Sequence, residues 1–165
     1  MERIDKTKYY LGIAMNVSRR STCLRRQYGA VIVNNDEIIA TGYNGSSRRQ
    51  ENCCDTGSCY RETHQIPHGE QYEKCVAVHA EQNAIISAAR RDMIGSTLYL
   101  AGIDTQTGEE LDAEPCLICA RMIANSGIKR VISKAGIIWQ DVAEKTGDGT
   151  HCGRYGCQYC GGHNA

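Results

Sequence analysis

Phenylalanine is absent from this 165-residue chain and tryptophan occurs once. A groove that tracks a polynucleotide calls for basic residues and for aromatic platforms on which bases stack, so that scarcity weakens a nucleic-acid-binding reading. An excess of either charge is missing too. Lysine plus arginine and aspartate plus glutamate both total 19, which disfavours a globally basic nucleic-acid binder and an acidic disordered chain. No apolar run is long enough to cross a bilayer, and Met1 to Lys8 are too polar for a secretory signal. These absences predict a soluble cytoplasmic protein with no membrane partner. No internal repeat is evident, and the length suits a single domain, since domains typically run to about 100 to 200 residues.

What is abundant is cysteine. Ten thiols are many for a cytosolic protein, yet fewer than the roughly 8 to 10% of residues that marks a small secreted disulfide scaffold. Metal binding is the leading explanation, because reduced thiols in pairs and clusters are ready zinc ligands.

Along the chain, Tyr10, Ile13, Ala14 and Val17 fall at helical spacing behind the N-cap candidate Asp5, predicting a helix over 5–20. Ala30 to Val33 and Ile38 to Thr41 are short β-branched runs around the turn residues Asn34, Asn35 and Asp36, a hairpin signature. Residues 46–78 have no sustained period but hold Cys53, Cys54, Cys59, His64, His68 and Cys75, and so long a connection usually binds something or is disordered. A helix over 80–91, a strand over 97–101, a polar hairpin insertion over 102–114, a helix starting at Pro115 and stopping near Gly127, and a strand over 129–133 complete the pattern. The alternation predicts an α/β layered domain with a partly parallel sheet. It occupies residues 1–146, followed by a glycine-, cysteine- and histidine-rich tail over 147–165.

Two short segments carry chemistry: His79-Ala80-Glu81 and Pro115-Cys116-Leu117-Ile118-Cys119, each at a predicted helix start. Cys116 and Cys119 are i and i+3, so both sulfurs leave one side of a first helical turn, where the helix dipole favours thiolates. A catalytic zinc takes three protein ligands and keeps its fourth position for water, and His79, Cys116 and Cys119 supply three. Glu81, two residues from the histidine, suits a proton shuttle beside the metal rather than a fourth ligand. A lone Cys-x-x-Cys would favour a closed structural zinc or a redox pair, with Glu81 a surface charge. The two motifs together, in this order, favour catalysis, and they are the signature of zinc deaminases.

With these motifs the chain resembles the zinc-dependent cytidine/deoxycytidylate deaminase superfamily, and within it the deoxycytidylate deaminase branch. The resemblance covers about Lys8 to Ser133. Beyond the metal motifs it rests on the runs from Cys23 to Val33, Thr41 to Gly45, Val78 to Ile85 and Ser126 to Val131. It implies a cytidine deaminase-like three-layer α/β/α sandwich with a mixed central sheet. It also implies hydrolysis of deoxycytidine monophosphate (dCMP) to deoxyuridine monophosphate (dUMP) and ammonia, by a zinc-activated water attacking C4 of cytosine. Matched by position, His79, Cys116 and Cys119 become ligands and Glu81 the acid and base. Asn44 becomes a contact to sugar or phosphate, and the Ala80 amide reads the base edge. Arg48, just beyond Asn44, is a phosphate candidate against a plain alternative of solvated surface charge.

Some members of the branch hold a second, structural zinc. That resemblance implies Cys23, Cys53, Cys59 and Cys75 as its ligands here, with His68 as the alternate. It also implies a homo-oligomer, dimer or hexamer, and a possible nucleotide effector. Two departures stand out: the 102–114 insertion lies between strand and Pro-Cys motif, where the branch passes almost directly, and a tyrosine-bearing segment expected after Ser133 is not matched. Cys152, Cys157, Cys160 and His163 in the tail have no counterpart, and metal binding and reactive thiols stay equal readings of them. The rivals are a deaminase of another nucleoside, nucleotide or base, and a zinc-scaffolded binding module.

Overall fold

The computed structural model describes residues 2–67 and 70–140; His68 and the whole Cys/His-rich tail lie outside them. The chain opens with helix α1 (Lys6–Ser18), capped by Asp5, whose Oδ1 accepts from the Lys8 amide at 2.9 Å. Strands β1 (Arg26–Asn34) and β2 (Glu37–Tyr43) follow as an antiparallel hairpin. Its two-residue loop, Asn35 and Asp36, takes φ of 48° and 68°. Positive φ at both positions is the hairpin turn that matches strand twist, and Asn and Asp tolerate it.

The aperiodic stretch is pinched off by a small antiparallel pair, β3 (Gly45–Ser46) and β4 (Ala77–Val78). Between them lie two single-turn helices, α2 (Cys53–Thr56) and α3 (Tyr60–Thr63), and a 3-10 turn over Tyr72–Lys74. The predicted helix over 80–91 is instead two pieces, α4 (Ala80–Ile86) and α5 (Arg90–Met93). The break falls at the C-cap Ser87, whose hydroxyl bonds back to the Asn83 carbonyl at 2.8 Å, and Ala89 is extended.

Strand β5 (Thr97–Asp104) runs beyond its predicted end and pairs with the two-residue β6 (Glu110–Leu111), so the insertion is a hairpin grown from the sheet. Helix α6 (Leu117–Ser126) starts with Cys116 as N-cap, which places Pro115 just before the cap, two residues ahead of the first helical position expected for it. The helix stops at Gly127, φ 89°, as the glycine predicted. Strands β7 (Arg130–Ser133) and β8 (Gly136–Gln140) close the fold; β8 was not anticipated.

The sheet order is β2-β1-β5-β7-β8, with β5 and β7 parallel and the other neighbours antiparallel, so the sheet is mixed. Strand alternation divides the core. Val31, Val33, Tyr99 and Ile132 face α1 with Tyr10 and Ala14, while Ala30, Ile32, Leu98 and Leu100 face the α4 and α6 side with Ala84 and Ile123. The result is three layers, α/β/α. Two glycines allow the helices to lie so close. A Cβ on Gly29 would stand 2.0 Å from the Ala14 carbonyl oxygen of α1, and one on Gly42 would stand 2.3 Å from the Ala80 carbonyl oxygen and Ala84 nitrogen of α4.

Candidate metal centre and its cavity

Helices α4 and α6 point their N-termini at one place. His79 is the N-cap of α4, its backbone nitrogen donating to Gln82 Oε1 at 2.9 Å, and Cys116 is the N-cap of α6. Gly42 admits α4 against β2 and thereby sets the depth at which His79 and Glu81 sit. His79 Nδ1 lies 3.5 Å from Cys116 Sγ and 3.4 Å from Cys119 Sγ, and all three atoms lie within 4.8 Å of one another. Ligands on one tetrahedral zinc, at Zn–S of about 2.3 Å and Zn–N of about 2.0–2.1 Å, stand about 3.6 Å apart for an N···S pair. The three residues therefore fit zinc in donor type and spacing. Among the described residues no other three histidine, cysteine or carboxylate side chains are gathered this tightly.

The electrostatics follow from the crowding. The Cys116 thiol is pulled down to about 4, chiefly because Cys119 hydrogen-bonds to its sulfur and then because His79 does. Cys119 is pushed up correspondingly, since it holds the shared proton and is buried. Glu81, only 5% exposed, has its carboxyl pushed up by burial. A carboxyl kept from ionising freely is one that can both take and give a proton.

His79, Glu81 and Cys116 line one cavity of about 300 Å³, with Cys119 buried behind them. Ala80 and Asn44, both predicted contacts, line it as well. Asn44 is mainly committed to β1. Its Oδ1 accepts from the Tyr28 amide at 2.7 Å and its Nδ2 donates to the Arg26 carbonyl at 2.9 Å, bonds that continue the strand ladder where β2 has ended. Neither Gly42 nor Gly45 takes positive φ, so Gly-Tyr-Asn-Gly is a close-packing device rather than a tight turn. Arg48 is exposed and does not line the cavity. The cationic residues there are Arg25, Arg26 and Arg61, to which the sequence reading assigned no part. Arg25 and Arg26 stand in the run from Cys23 to Val33 that carries the resemblance, which was a usable signal.

Arg61 and Tyr72 came from the aperiodic stretch and carried no signal. Arg61 is 6% exposed and donates to the carbonyls of Pro67 (2.7 Å), Glu70 (2.6 Å) and Gln71 (3.1 Å). Its guanidinium also lies 5.2 Å from the Tyr72 ring centroid, and Tyr72 meets the His79 ring edge-on at 5.3 Å. One buried cation thus braces the loop that brings a tyrosine over the metal centre.

Of the second set, Cys23, Cys59 and Cys75 line this same cavity. Burial pushes the Cys53 thiol up first, and the neighbouring Cys23, Cys59 and Cys75 push it further. Among the described residues these sulfurs are not gathered into a metal-holding group as His79, Cys116 and Cys119 are. His68 lies outside the described residues.

Comparison with known proteins agrees with the geometry. Residues 4–135 match the family described as the cytidine and deoxycytidylate deaminase zinc-binding region. The chain is 39% identical over 137 residues to a deoxycytidylate deaminase of Mycobacterium phage D29, covering 80% of this chain and 96% of that one. It is 35% identical over 124 residues to the deoxycytidylate deaminase of Schizosaccharomyces pombe, covering 75% of this chain and only 35% of the yeast protein. The apo structure of dCMP deaminase from cyanophage S-TIM5 aligns with a TM-score of 0.55 at 29% identity, over 80% of this chain and 84% of that one. A structure of that phage enzyme in complex with dCMP and dUMP aligns at 0.54 and 27% identity, over 81% and 83%. With His-x-Glu and Pro-Cys-x-x-Cys brought to one cavity by an α/β/α sandwich, this chain belongs to the cytidine and deoxycytidylate deaminase family.

Proposed function

We propose that this chain hydrolyses dCMP to dUMP and ammonia, with His79, Cys116 and Cys119 holding one zinc and Glu81 serving as acid and base. The observation that carries the reading is the triangle of His79 Nδ1 and two sulfurs at 3.4–3.5 Å, with a buried carboxylate two residues from the histidine in the same cavity. Bound there, zinc makes water nucleophilic by bringing its pKa to about 7.

Glu81 would accept one proton from the attacking water and deliver it to N3 of the cytosine ring, then take the second proton from the hydroxyl formed at C4 and pass it to the departing amine. The C4–O bond forms, the C4–N bond breaks, and ammonia leaves. Ala80 contributes one of the N–H groups left without an intrahelical partner in the first turn of α4, in place to bond the base edge. Asn44 has one remaining N–H and one remaining lone pair for the sugar. The relatives named deoxycytidylate deaminase, and the phage enzyme that binds dCMP and dUMP, support the nucleotide as substrate.

The reading extends further. Cys23, Cys53, Cys59 and Cys75, with His68 as alternate, hold a second zinc that stiffens the 46–78 loop. The active species is a cytoplasmic homo-oligomer, and the catalytic unit is residues 1–146 without the tail. The test is a panel of cytosine nucleosides and nucleotides offered to the purified zinc-loaded protein. The expected result is deamination of dCMP with kcat/KM about 100-fold above deoxycytidine, the effect of two charge-assisted contacts to phosphate. Equal values for the two substrates would overturn the nucleotide assignment.

A further inference from the structure

Aromatic side chains are scarce in this chain, nine tyrosines and one tryptophan, yet two tyrosines that the chemistry above does not use line the cavity. Among the described residues, Tyr28 and Tyr72 are the only aromatic side chains on its wall besides His79. They arrive by different routes, Tyr28 on β1 and Tyr72 on the 3-10 turn of the 46–78 loop.

Strand alternation puts Tyr28 on the same face of β1 as Ala30 and Ile32, packed against the core that faces α4 and α6. Its amide donates to Asn44 Oδ1 at 2.7 Å, and its cross-strand partner on β5 is Gly102. A Cβ on Gly102 would stand 2.5 and 2.6 Å from Cδ1 and Cε1 of the Tyr28 ring. The ring therefore lies across the glycine, and a side chain at that position would displace it. Gly102 is also where the inserted hairpin leaves the sheet, opposite Leu111 of β6.

Tyr72 is fixed from the loop. Arg61 seats it by placing its guanidinium 5.2 Å from the ring centroid while binding the Pro67, Glu70 and Gln71 carbonyls. Gln71 takes φ 47°, which turns the chain sharply into the tyrosine. The Tyr72 and His79 rings then meet at 5.3 Å with their planes 78° apart. A cytosine whose C4 comes to the His79, Cys116 and Cys119 triangle, with its N3 against Glu81, enters the space that these two tyrosines bound.

We propose that Tyr28 and Tyr72 are the aromatic walls of the base pocket, Tyr28 on the sheet side and Tyr72 on the loop side, and that Arg61 is the positioning residue that seats Tyr72. The inference rests on the nucleotide reading above and names what selects a flat ring within it. Stacking on an aromatic side chain tolerates any base, because every base has a π face. The walls therefore select planarity, while Glu81 and the Ala80 amide read the edge of the ring.

The experiment titrates the full-length zinc-loaded protein, by calorimetry, with dUMP and with 5,6-dihydro-dUMP, which keeps the sugar, the phosphate and both ring carbonyls but has a puckered ring. Wild type is expected to bind dUMP about tenfold more tightly, the size of one base–aromatic stack. Tyr28→Leu and Tyr72→Leu should each lose most of that preference by weakening dUMP alone, and should raise KM for dCMP about tenfold with kcat changed less than about threefold. Tyr28→Phe and Tyr72→Phe, which keep the ring, should restore both. Arg61→Lys keeps the charge but not the fork that spans three carbonyls, and should lose part of the preference.

Equal binding of the two ligands by wild type, or a preference that survives in both leucine variants, overturns this inference and leaves the nucleotide reading standing. Failure of wild type to deaminate dCMP overturns both. A preference unchanged in Arg61→Lys overturns the positioning role. If a leucine variant loses zinc or melts early, Tyr72→Trp keeps the test: its fluorescence should be quenched by dUMP and much less by the dihydro form, with wild type as the background. Equal quenching by the two ligands overturns the stack on residue 72.

Discussion

Glu81 sits two residues beyond His79, a proposed zinc ligand, with its carboxyl pushed up by burial, and its replacement separates chemistry from structure. Glu81→Gln keeps the shape and removes the proton carrier. It should retain zinc and fold yet lose about 100- to 10,000-fold in turnover, the range of general acid/base groups. Near wild-type turnover would show that Glu81 is not the proton carrier.

Tyr10 gives a second residue-scale prediction, far from the site. Its hydroxyl donates to Asp36 Oδ1 at 2.7 Å, and that bond is the main cause of a tyrosine pKa pushed up to about 12. The folded value lies above the unfolded value of about 10, so the bond contributes fully below pH 10, and its contribution falls away as pH rises through 12. Tyr10→Phe should cost about 0.5–1.5 kcal/mol at neutral pH and should lose less stability than wild type between pH 10 and 12. Urea melts across that range test it; parallel curves for the two proteins would deny the bond any pH-linked role.

At the scale of elements, the most consequential contact is that of β2 with α4. Gly42 leaves no room for a Cβ between them, because the atoms it would strike are backbone. Gly42→Ala must push α4 outward and carry His79 and Glu81 with it. Overpacking of this kind costs about 1–3 kcal/mol, and displacement of one ligand should also lower zinc affinity. A melting curve together with zinc titration checks both, and an unchanged zinc affinity would mean that α4 and α6 adjust together. Gly12, with nothing within 4 Å of its notional Cβ, is the control, and Gly12→Ala in an exposed helix interior should be neutral or mildly stabilising.

At the scale of the whole molecule, metal and fold are linked. The proposed ligand triangle joins the start of α4 to the start of α6, so zinc there would tie together two elements far apart in sequence, and structural zinc in small domains supplies on the order of 10 kcal/mol of apparent folding free energy. With the second zinc proposed above, metal analysis should return at least two zinc ions per chain. Cys75→Ser should remove one and lower the melting temperature more than Glu81→Gln does. One zinc per folded wild-type chain would refute the second site. Among the described residues no helix is long and apolar enough to cross a membrane.

What could be read from sequence, and what could not, follows from the range of the interactions. Helix α1 with its Asp5 cap, the β1–β2 hairpin, the Gly127 stop and the two metal motifs are written in neighbours a few residues apart, so periodicity, caps and ligand spacing determine them. The division of α4 from α5 depends on one hydroxyl back-bond that pattern does not announce. The use of Asn44 depends on a partner sixteen residues away on another strand. Gly42 is an ordinary glycine until α4 is laid across it.

The amino-acid sequence by itself determined the chemistry, because zinc ligands and a proton carrier are specified by residue type and spacing. Only the tertiary structure decided which charged and aromatic side chains surround that chemistry. It set Arg48 aside, brought Arg25 and Arg26 to the cavity wall, and folded the aperiodic loop so that Tyr72 meets His79. Such neighbours are set by loop closure and sheet register, which depend on the whole packed chain and leave no local period to read.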